Sequence, residues 1–334
     1  MTGSASTTLT LDLMELEDHK TPSDVVEEIL RQNPNLSYPT PLERFVELAG
    51  IESISELTTD GFEGMLITNA EKSRGAIMIK AGTSPRRRRF TIAHELGHFL
   101  LPWHRQQKFS CKSSDIKDNG HHPGLAPDLV TIETEANAFA SELLMPSSAF
   151  KSFMDDFETP TLNDLASLSD RFDVSFEATV HRYKVLSNKP LAFVFSHNNI
   201  VRYWVKTQEM PYALKVRKDH ALPLRSSSRN DGMFVSDFET IAAHIWLEPH
   251  SELALPRNIL EQTIHQSAGY KVTLLYVENL FGLEYDQTVD FNDDSGHELE
   301  FNQEVIYPEA IYPETIYSES IDEYAGDVVF SESI

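Results

Sequence analysis

Two histidines separated by three residues, His94 and His98, enclose a glutamate at position 95. On an α-helix, side chains four residues apart lie on one face, so the two imidazoles can hold one metal ion together. Zn²⁺ binds imidazole nitrogen readily, and a catalytic zinc keeps one position open for water. Glu95 lies at the rim of that face, where a carboxylate can take a proton from the water. The pattern predicts a zinc-dependent peptidase if the segment is helical and a third ligand exists; a chance match on a buried helix is the alternative.

The sequence around this motif favours a helix. No proline interrupts residues 86–101, and Pro85 and Pro102 bracket the segment. Gly97 costs about 1 kcal/mol of helix propensity relative to alanine. Glycine at this position indicates that a neighbouring element approaches the helix closely near the metal.

A third ligand is predicted on the segment 129–146. At about 100° per residue its apolar side chains form one stripe, and Glu133 falls inside the stripe beside Asn137. Glu135 and Glu142 fall on the opposite, polar side. A carboxylate on a packing face is costly unless it is paired or binds metal. Glu133 is therefore the predicted third ligand, with a salt bridge to a nearby arginine as the alternative, and Glu135 is predicted to face solvent.

The two motifs, RFTIAHELGHFLL and ETEANAFASELLMP, together resemble the ImmA/IrrE metallopeptidases. The similarity covers residues 40–187, and the second motif matches from Glu133 through Pro146. It implies that His94, His98 and Glu133 bind Zn²⁺ and that Glu95 is the general base. It also implies a small zincin-like domain, mostly helical with a short sheet, and a substrate class of transcriptional repressors or similar regulators.

Further potential ligands lie on the stretch between the two motifs. It carries His104, Cys111, His121 and His122. Cys111 could act as a switch on the metal, but a lone cysteine is usually inert, and we predict the inert role. His121 and His122 are predicted to be exposed loop residues, because adjacent loop residues rarely point at one ion and three ligands already complete the site.

Composition limits the class of protein. A chain of 334 residues suggests two domains, and one cysteine excludes a disulfide framework and fits a reducing cytosol. The first 20 residues lack the basic and apolar regions of a signal peptide, and no stretch reaches the length of a membrane span. We therefore expect a cytoplasmic protein with no membrane partner.

The negative charge is concentrated at the carboxyl end. Residues 284–334 hold 15 Asp or Glu and no Lys or Arg, so the net charge of −24 divides into −15 for this tail and −9 for the rest. Residues 305–319 repeat a five-residue unit as VIYPE, AIYPE and TIYSE. This composition predicts a disordered tail. It could dock a basic partner, screen the protein's own basic surface, or only aid solubility.

Two features invite a nucleic-acid interpretation. Residues 86–89 are four consecutive arginines, and residues 161–183 have the rhythm of a helix-turn-helix. The helical pair has four acids against three bases, whereas phosphate binding requires a positive face. We predict that the pair packs against the peptidase core. The arginines are expected to pair with acidic helices or to contact an acidic substrate, and nucleic acid is not the expected partner.

The predicted fold class is α+β, with four segments along the chain. Residues 1–39 form an extension with a helix from Ser23 to Gln32. Residues 40–187 form the zincin-like metallopeptidase domain, with a helix at 40–49, strands at 65–68 and 76–80, and the helical pair at 161–186. The 76–80 strand is the candidate edge strand for substrate. Residues 188–283 form a sensor-like antiparallel α+β domain, with a hairpin around 197–199 and a strand at 271–277. The acidic tail, residues 284–334, follows.

Together these features predict a zinc-dependent endopeptidase that regulates by limited proteolysis of a protein substrate. Because some members of the resembled family carry a GAF-like C-terminal domain, the resemblance suggests that fold for residues 188–283. The alternatives are a DNA-binding or sensor-type transcription regulator with a structural or silent zinc site, and a catalytically silent module that binds a repressor.

Overall fold

The computed structural model describes residues 9–111, 127–229, 235–249 and 253–278. Within these ranges the chain forms seven α-helices and two β-sheets, the mixed α+β class predicted from the sequence. The described residues divide into two compact units. The first contains residues 9–111, 127–152 and 168–175, and the second contains residues 153–167, 176–229, 235–249 and 253–278. The predicted acidic tail at 284–334 lies outside the described residues.

Two short helices open the first unit, α1 (Pro22–Gln32) and α2 (Leu42–Ala49). The hydroxyl of Thr21 caps α1 by accepting a hydrogen bond from the backbone N of Asp24 at 3.2 Å. α2 ends at Gly50, whose φ of 95° lies in the left-handed region that terminates helices. Both predicted helices are confirmed, and the second begins two residues later than expected.

The sheet of the first unit has four strands, β1 (Ile51–Leu57), β2 (Gly64–Thr68), β3 (Gly75–Lys80) and β4 (Lys108–Cys111). Their order is β1-β3-β2-β4, so β1 and β4 are the edges. β1 runs parallel to β3, whereas β2 runs antiparallel to β3 and to β4. The prediction that the 76–80 strand is an edge is wrong, because β1, which was not predicted from the sequence, pairs with its outer side.

A long helix, α3 (Pro85–Leu100), packs against β2, β3 and a second long helix, α4 (Pro127–Leu144). Its boundaries agree with the bracketing prolines of the sequence. A Cβ atom placed on Gly97 would lie 2.9 Å from Cδ1 of Phe139 on α4. The close approach expected at Gly97 is therefore the crossing of these two helices, and a larger side chain would push them apart.

Apolar side chains from the helices and the sheet fill the core of the first unit. Aromatic rings also pack in this core. The ring centroids of Phe150 and Phe172 are 5.3 Å apart and the rings stack, and the ring centroid of Tyr38 lies 5.1 Å from that of Phe172. The burial of apolar surface is the main contribution that holds α3 and α4 in place. The core includes Phe45, Leu66, Ile77, Ile92, Leu96, Phe139 and Leu143.

Three further helices continue the chain, α5 (Ser147–Met154), α6 (Leu162–Phe172) and α7 (Phe176–Leu186). The carboxylate of Glu142 caps α5, with Oε1 2.7 Å from the backbone N of Ser147. Glu142 was predicted to lie on the polar face of its helix, but its side chain is buried at this cap. The predicted helical pair is confirmed as α6 and α7.

The second unit contains a five-stranded antiparallel sheet, in the order β6-β5-β9-β8-β7. The hairpin between β5 and β6 turns at Asn198 and Asn199, which both adopt positive φ, and it confirms the predicted hairpin. Residues 188–283 were predicted to form an antiparallel α+β domain, but the described part of this range contains short 3₁₀ turns and no α-helix. The strands are β5 (Leu191–His197), β6 (Ile200–Lys206), β7 (Glu239–Ala242), β8 (Asn258–His265) and β9 (Tyr270–Tyr276).

A buried polar cluster stabilises one side of this sheet. Trp246 donates from Nε1 to Oε2 of Glu261 at 2.7 Å, and Ser226 donates its hydroxyl to Oε1 at 2.7 Å. The backbone N of Ser228 donates to the same Oε1 at 3.0 Å. Both oxygens of the buried Glu261 carboxylate therefore accept hydrogen bonds, which indicates that Glu261 stabilises the fold.

Candidate metal centre

The helix α3 brings His94, Glu95 and His98 into the interior, where all three side chains are fully buried. The Nε2 atoms of the two histidines lie 3.0 Å apart. Burial lowers the pKa of His98 to about 3. Its imidazole is therefore neutral at ordinary pH, which is the form that binds a metal ion.

Glu133 of α4 points at the same place. Its Oε2 lies 3.1 Å from Nε2 of His94 and 3.6 Å from Nε2 of His98. Atoms bound about 2.1 Å from a tetrahedral ion are separated by about 3.4 Å, so these three atoms suit a single Zn²⁺. Burial raises the pKa of Glu133, but hydrogen bonds from the two histidines outweigh it and hold the pKa well below its usual range. The structure thus brings together the three residues that were predicted as ligands.

The thiol of Cys111 joins this cluster from strand β4. Its Sγ lies 3.2 Å from Nε2 of His94 and 3.5 Å from Nε2 of His98. One donor atom from each of four residues, His94, His98, Cys111 and Glu133, lies within 4.8 Å of the others. Among the residues that the structure describes, no other group of three or more His, Cys, Asp or Glu side chains converges in this way. Cys111 was predicted to be inert, and the sequence did not reveal that its thiol lies beside the two histidines.

Glu95 is the most unusual side chain of the site. Neither carboxylate oxygen has a hydrogen-bond partner within the described ranges, although both are buried. This burial raises the pKa of Glu95 to about 8. A buried carboxylate without partners is costly unless an ion or a water molecule satisfies it, so its presence beside three convergent ligands fits a metal-bound site.

A second layer of polar residues orients the two histidines. Oδ1 of Asn137 lies 2.9 Å from Nδ1 of His94, and Nδ1 of His104 lies 3.1 Å from Nδ1 of His98. The amide oxygen of Asn137 and the imidazole of His104 can each accept an Nδ1 proton, which leaves Nε2 of His94 and His98 available to a metal ion. Neither His104 nor its contact with His98 was predicted.

Glu135 supports His104 from the other side of the imidazole. The prediction that Glu135 faces solvent is therefore wrong. Its Oε2 lies 2.9 Å from Nε2 of His104 and accepts from Nε1 of Trp103 at 2.8 Å. A proton on Nε2 of His104 can be donated to the carboxylate, and the remaining Nδ1 can accept from His98. The loop after α3 wraps over this face of α4, so a helical pattern alone could not reveal the contact.

Lys72 fixes the end of α3 and the loop that carries His104. Its Nζ donates to the carbonyl oxygens of His98 at 2.8 Å, Leu101 at 3.1 Å and His104 at 2.9 Å. Burial lowers the pKa of this lysine to about 8. The three bonds satisfy carbonyls at the helix end and hold the second layer in place.

The basic run at the start of α3 is engaged in ion pairs within the first unit. Arg86 pairs with Asp170 at 2.5 Å, Arg87 with Glu63 at 3.2 Å, and Arg89 with Asp173 at 3.1 Å. Arg88 also pairs, with Glu56 at 3.2 Å. These contacts confirm the prediction that the arginines pair with acidic side chains. His121 and His122 lie outside the described residues.

Comparison with known proteins gives a family match over residues 56–184, to the model described as the IrrE N-terminal-like domain. The radiation response metalloprotease IrrE of Deinococcus radiodurans is 29% identical over 128 residues, which are 38% of this chain and 35% of that protein. The chain thus matches about a third of the length of that relative.

Among solved structures, a Mycobacterium tuberculosis transcriptional regulator aligns with a TM-score of 0.40 and 14% identity over 79% of this chain and 73% of the other. Within the described parts of the chain, no helix has both the length and the apolar character needed to cross a membrane.

Proposed function

We propose that this chain, which belongs to the ImmA/IrrE metallopeptidase family through its residues 56–184, is a zinc-dependent endopeptidase. The observation that carries the proposal is the convergence of His94, His98 and Glu133 beside the unpartnered carboxylate of Glu95. In this assignment the first three residues hold Zn²⁺ and Glu95 is the general base. The donor set of two imidazoles and one carboxylate is one that catalytic zinc sites use.

The metal ion, when bound, would supply the Lewis acidity that polarises the scissile carbonyl and its attacking water. The side chains perform the rest of the chemistry. Glu95 takes a proton from the attacking water on one carboxylate oxygen and passes it to the nitrogen of the leaving amine. Its buried position keeps bulk water away from this proton transfer. Asn137 and His104 hold the two imidazoles in orientation through the hydrogen bonds at their Nδ1 atoms.

The proposed substrate is a protein, and the proposed biological role is regulation by limited proteolysis. The proposal is supported by the family match and by the similarity to the radiation response metalloprotease IrrE of Deinococcus radiodurans. A transcriptional repressor or a similar regulator is the substrate class that this resemblance favours. The one cysteine of the chain suits a reducing compartment, and we place the activity in the cytoplasm.

We propose the same domain boundaries that were predicted from the sequence. These are a peptidase domain at residues 40–187 and a sensor-like domain at residues 188–283. The five-stranded antiparallel sheet at β5–β9 supports a separate second domain, and a GAF-like fold remains the proposal for it. The acidic residues 284–334 are proposed as a disordered arm that docks a basic partner.

The first test is the zinc content of the purified protein. Wild type should hold about one zinc per chain, and Glu133→Gln, which replaces a charged ligand by a neutral amide, should lose most of it. Glu47→Gln changes an exposed carboxylate on α2 and serves as the matched control that keeps its zinc. Full zinc retention in Glu133→Gln would exclude Glu133 as a ligand.

The second test is cleavage. Glu95→Gln should retain zinc and lose cleavage by about 10²- to 10⁴-fold, the range that general-base catalysis contributes. Substrates can be found by comparing new protein amino termini in an extract treated with wild type or with Glu95→Gln. An active Glu95→Gln enzyme with bound zinc would remove Glu95 from the mechanism.

A further inference from the structure

The strand β4 lies where it can act directly on the metal site. It pairs antiparallel with β2, with Cys111 opposite Gly64 and Phe109 opposite Leu66. β2 borders the site, because a Cβ atom on Gly64 would lie only 2.3 Å from Oε1 of Glu95. The last residue of β4 is therefore held level with the predicted general base.

The two inward residues of β4 both contact the metal-binding histidines. Alternate residues of a strand share a face, and Phe109 and Cys111 are buried whereas Lys108 is exposed. The ring of Phe109 stacks on the imidazole of His98 with centroids 4.3 Å apart. The thiol of Cys111 reaches Nε2 of His94 at 3.2 Å and Nε2 of His98 at 3.5 Å.

These distances match a fourth ligand of one metal ion. Sulfur about 2.3 Å and nitrogen about 2.05 Å from a tetrahedral zinc are separated by about 3.6 Å. The other three donors define the position of the ion without reference to the cysteine, and the buried, unpartnered oxygens of Glu95 lie beside it. The cysteine thus lies at a site that independent side chains already mark.

We infer that Cys111 is a fourth protein ligand of the metal. By pairing with β2, strand β4 occupies the sheet edge where a substrate strand would otherwise bind, and it thereby keeps the site closed. This inference rests on the proposed function. Peptides commonly bind enzymes of this kind by adding a strand to a sheet edge, and without β4 the free edge beside Glu95 would be β2. Four protein ligands leave no position for water, which is the arrangement of structural rather than catalytic zinc.

Opening the site is then a ligand exchange. With a metal bound, Cys111 would leave it as a thiolate that takes up one proton from solvent, and its position on the ion would become available to water. No electron is transferred, so no oxidant is required. β4 is only four residues long and lies on an edge, which makes its detachment a local event.

Cobalt substitution in the full-length protein tests this inference without a substrate. Because Cys111 is the only cysteine in the sequence, a near-ultraviolet thiolate-to-cobalt charge-transfer band in wild type can come from no other residue. We expect that band in wild type, and we expect Cys111→Ser to bind cobalt without it. Zinc should leave Cys111→Ala for a chelator at least tenfold faster than it leaves wild type.

The two proposals fail in different ways. If cobalt binds in a Glu133-dependent manner and wild type lacks the thiolate band, Cys111 is not a ligand, and the peptidase proposal is untouched. If neither wild type nor Cys111→Ser binds cobalt, both proposals are overturned. Cleavage adds a further readout, because zinc-loaded Cys111→Ala should cut faster than wild type. Equal rates would contradict the closed state.

Discussion

The absence of a side chain at Gly64 has a direct consequence for the proposed general base. A Cβ atom there would lie 2.3 Å from Oε1 of Glu95 and 2.5 Å from Cγ2 of Thr91. Ordinary contact begins near 3.4 Å, so Gly64→Ala must displace the carboxylate by about 1 Å. The oxygen is at the end of a flexible side chain, and it yields more readily than the backbone of either element.

The displacement should reduce catalysis more than it reduces metal binding. Misplacing a reacting group by about 1 Å can cost about 10²-fold in rate, which corresponds to about 2.7 kcal/mol in the activation free energy. The contact with Thr91, a buried β-branched residue, should also lower the free energy of unfolding by about 1–3 kcal/mol. The nearest atoms to the added methyl group belong to Glu95 and Thr91 and not to the three proposed zinc ligands, so zinc content should remain near one per chain.

The assay compares the cleavage rate and zinc content of Gly64→Ala with those of Gly75→Ala. Gly75 lies on the neighbouring strand, and its added Cβ would meet the ring of Phe99 at 3.0 Å rather than a catalytic group. Gly75→Ala should therefore lose some stability and keep its rate per bound zinc. A fully active, zinc-loaded Gly64→Ala enzyme would refute the position assigned to Glu95.

Three further predictions concern the supports of the site and the second unit. Asn137→Ala removes the acceptor at Nδ1 of His94 and should weaken zinc binding 10- to 100-fold in a chelator competition, whereas Asn137→Asp should retain most of the affinity. Gly97→Ala should lower the free energy of unfolding by about 1 kcal/mol in urea, because overpacking against Phe139 exceeds the gain in helix propensity. Burial lowers the pKa of His181 from 6.5 to about 4, so the unfolded state binds more protons between these values and stability is lost as pH falls through them. His181→Phe should show a smaller drop in urea midpoint between pH 7 and pH 5 than wild type, and an equal drop would show that His181 is not the group responsible.

The part of the site carried by single helices was predictable from the sequence. His94 and His98 share a face because they are four residues apart, and the periodicity of α4 places Glu133 inward. Helical geometry is local, so the direction of a side chain follows from the spacing alone. Crossing two such helices at Gly97 then brings the three residues to one point.

The part that depends on strand pairing and loops was not predictable. Cys111 reaches the metal site only because β4 pairs with β2 across more than 40 residues of chain, and no local pattern sets that register. His104 is positioned by Lys72, which binds three carbonyls on a different segment. β1 is composed mainly of Ile, Ser and Glu and is largely exposed, so its sequence gives only a weak indication of a strand. Because β1 pairs with β3, β3 is a central strand and not an edge strand.

The charges at the site give a reason why the closed arrangement can open. Two neutral imidazoles with the carboxylates of Glu133 and Glu95 carry a charge of −2 when both acids are ionised, which a divalent ion balances in a buried environment. A bound divalent ion would lower the raised pKa of Glu95 and favour its ionised form. A thiolate from Cys111 would then add a third negative charge, one more than the metal compensates. Both Cys111 and Glu95 are fully buried, so solvent screens this excess only weakly. Replacing the thiolate by neutral water restores the balance and leaves Glu95 the negative charge that a base needs. In the proposed closed state this repulsion would oppose the bond between Cys111 and the metal. The pairing of β4 with β2 and the stacking of Phe109 on His98 would support that bond and keep the site closed.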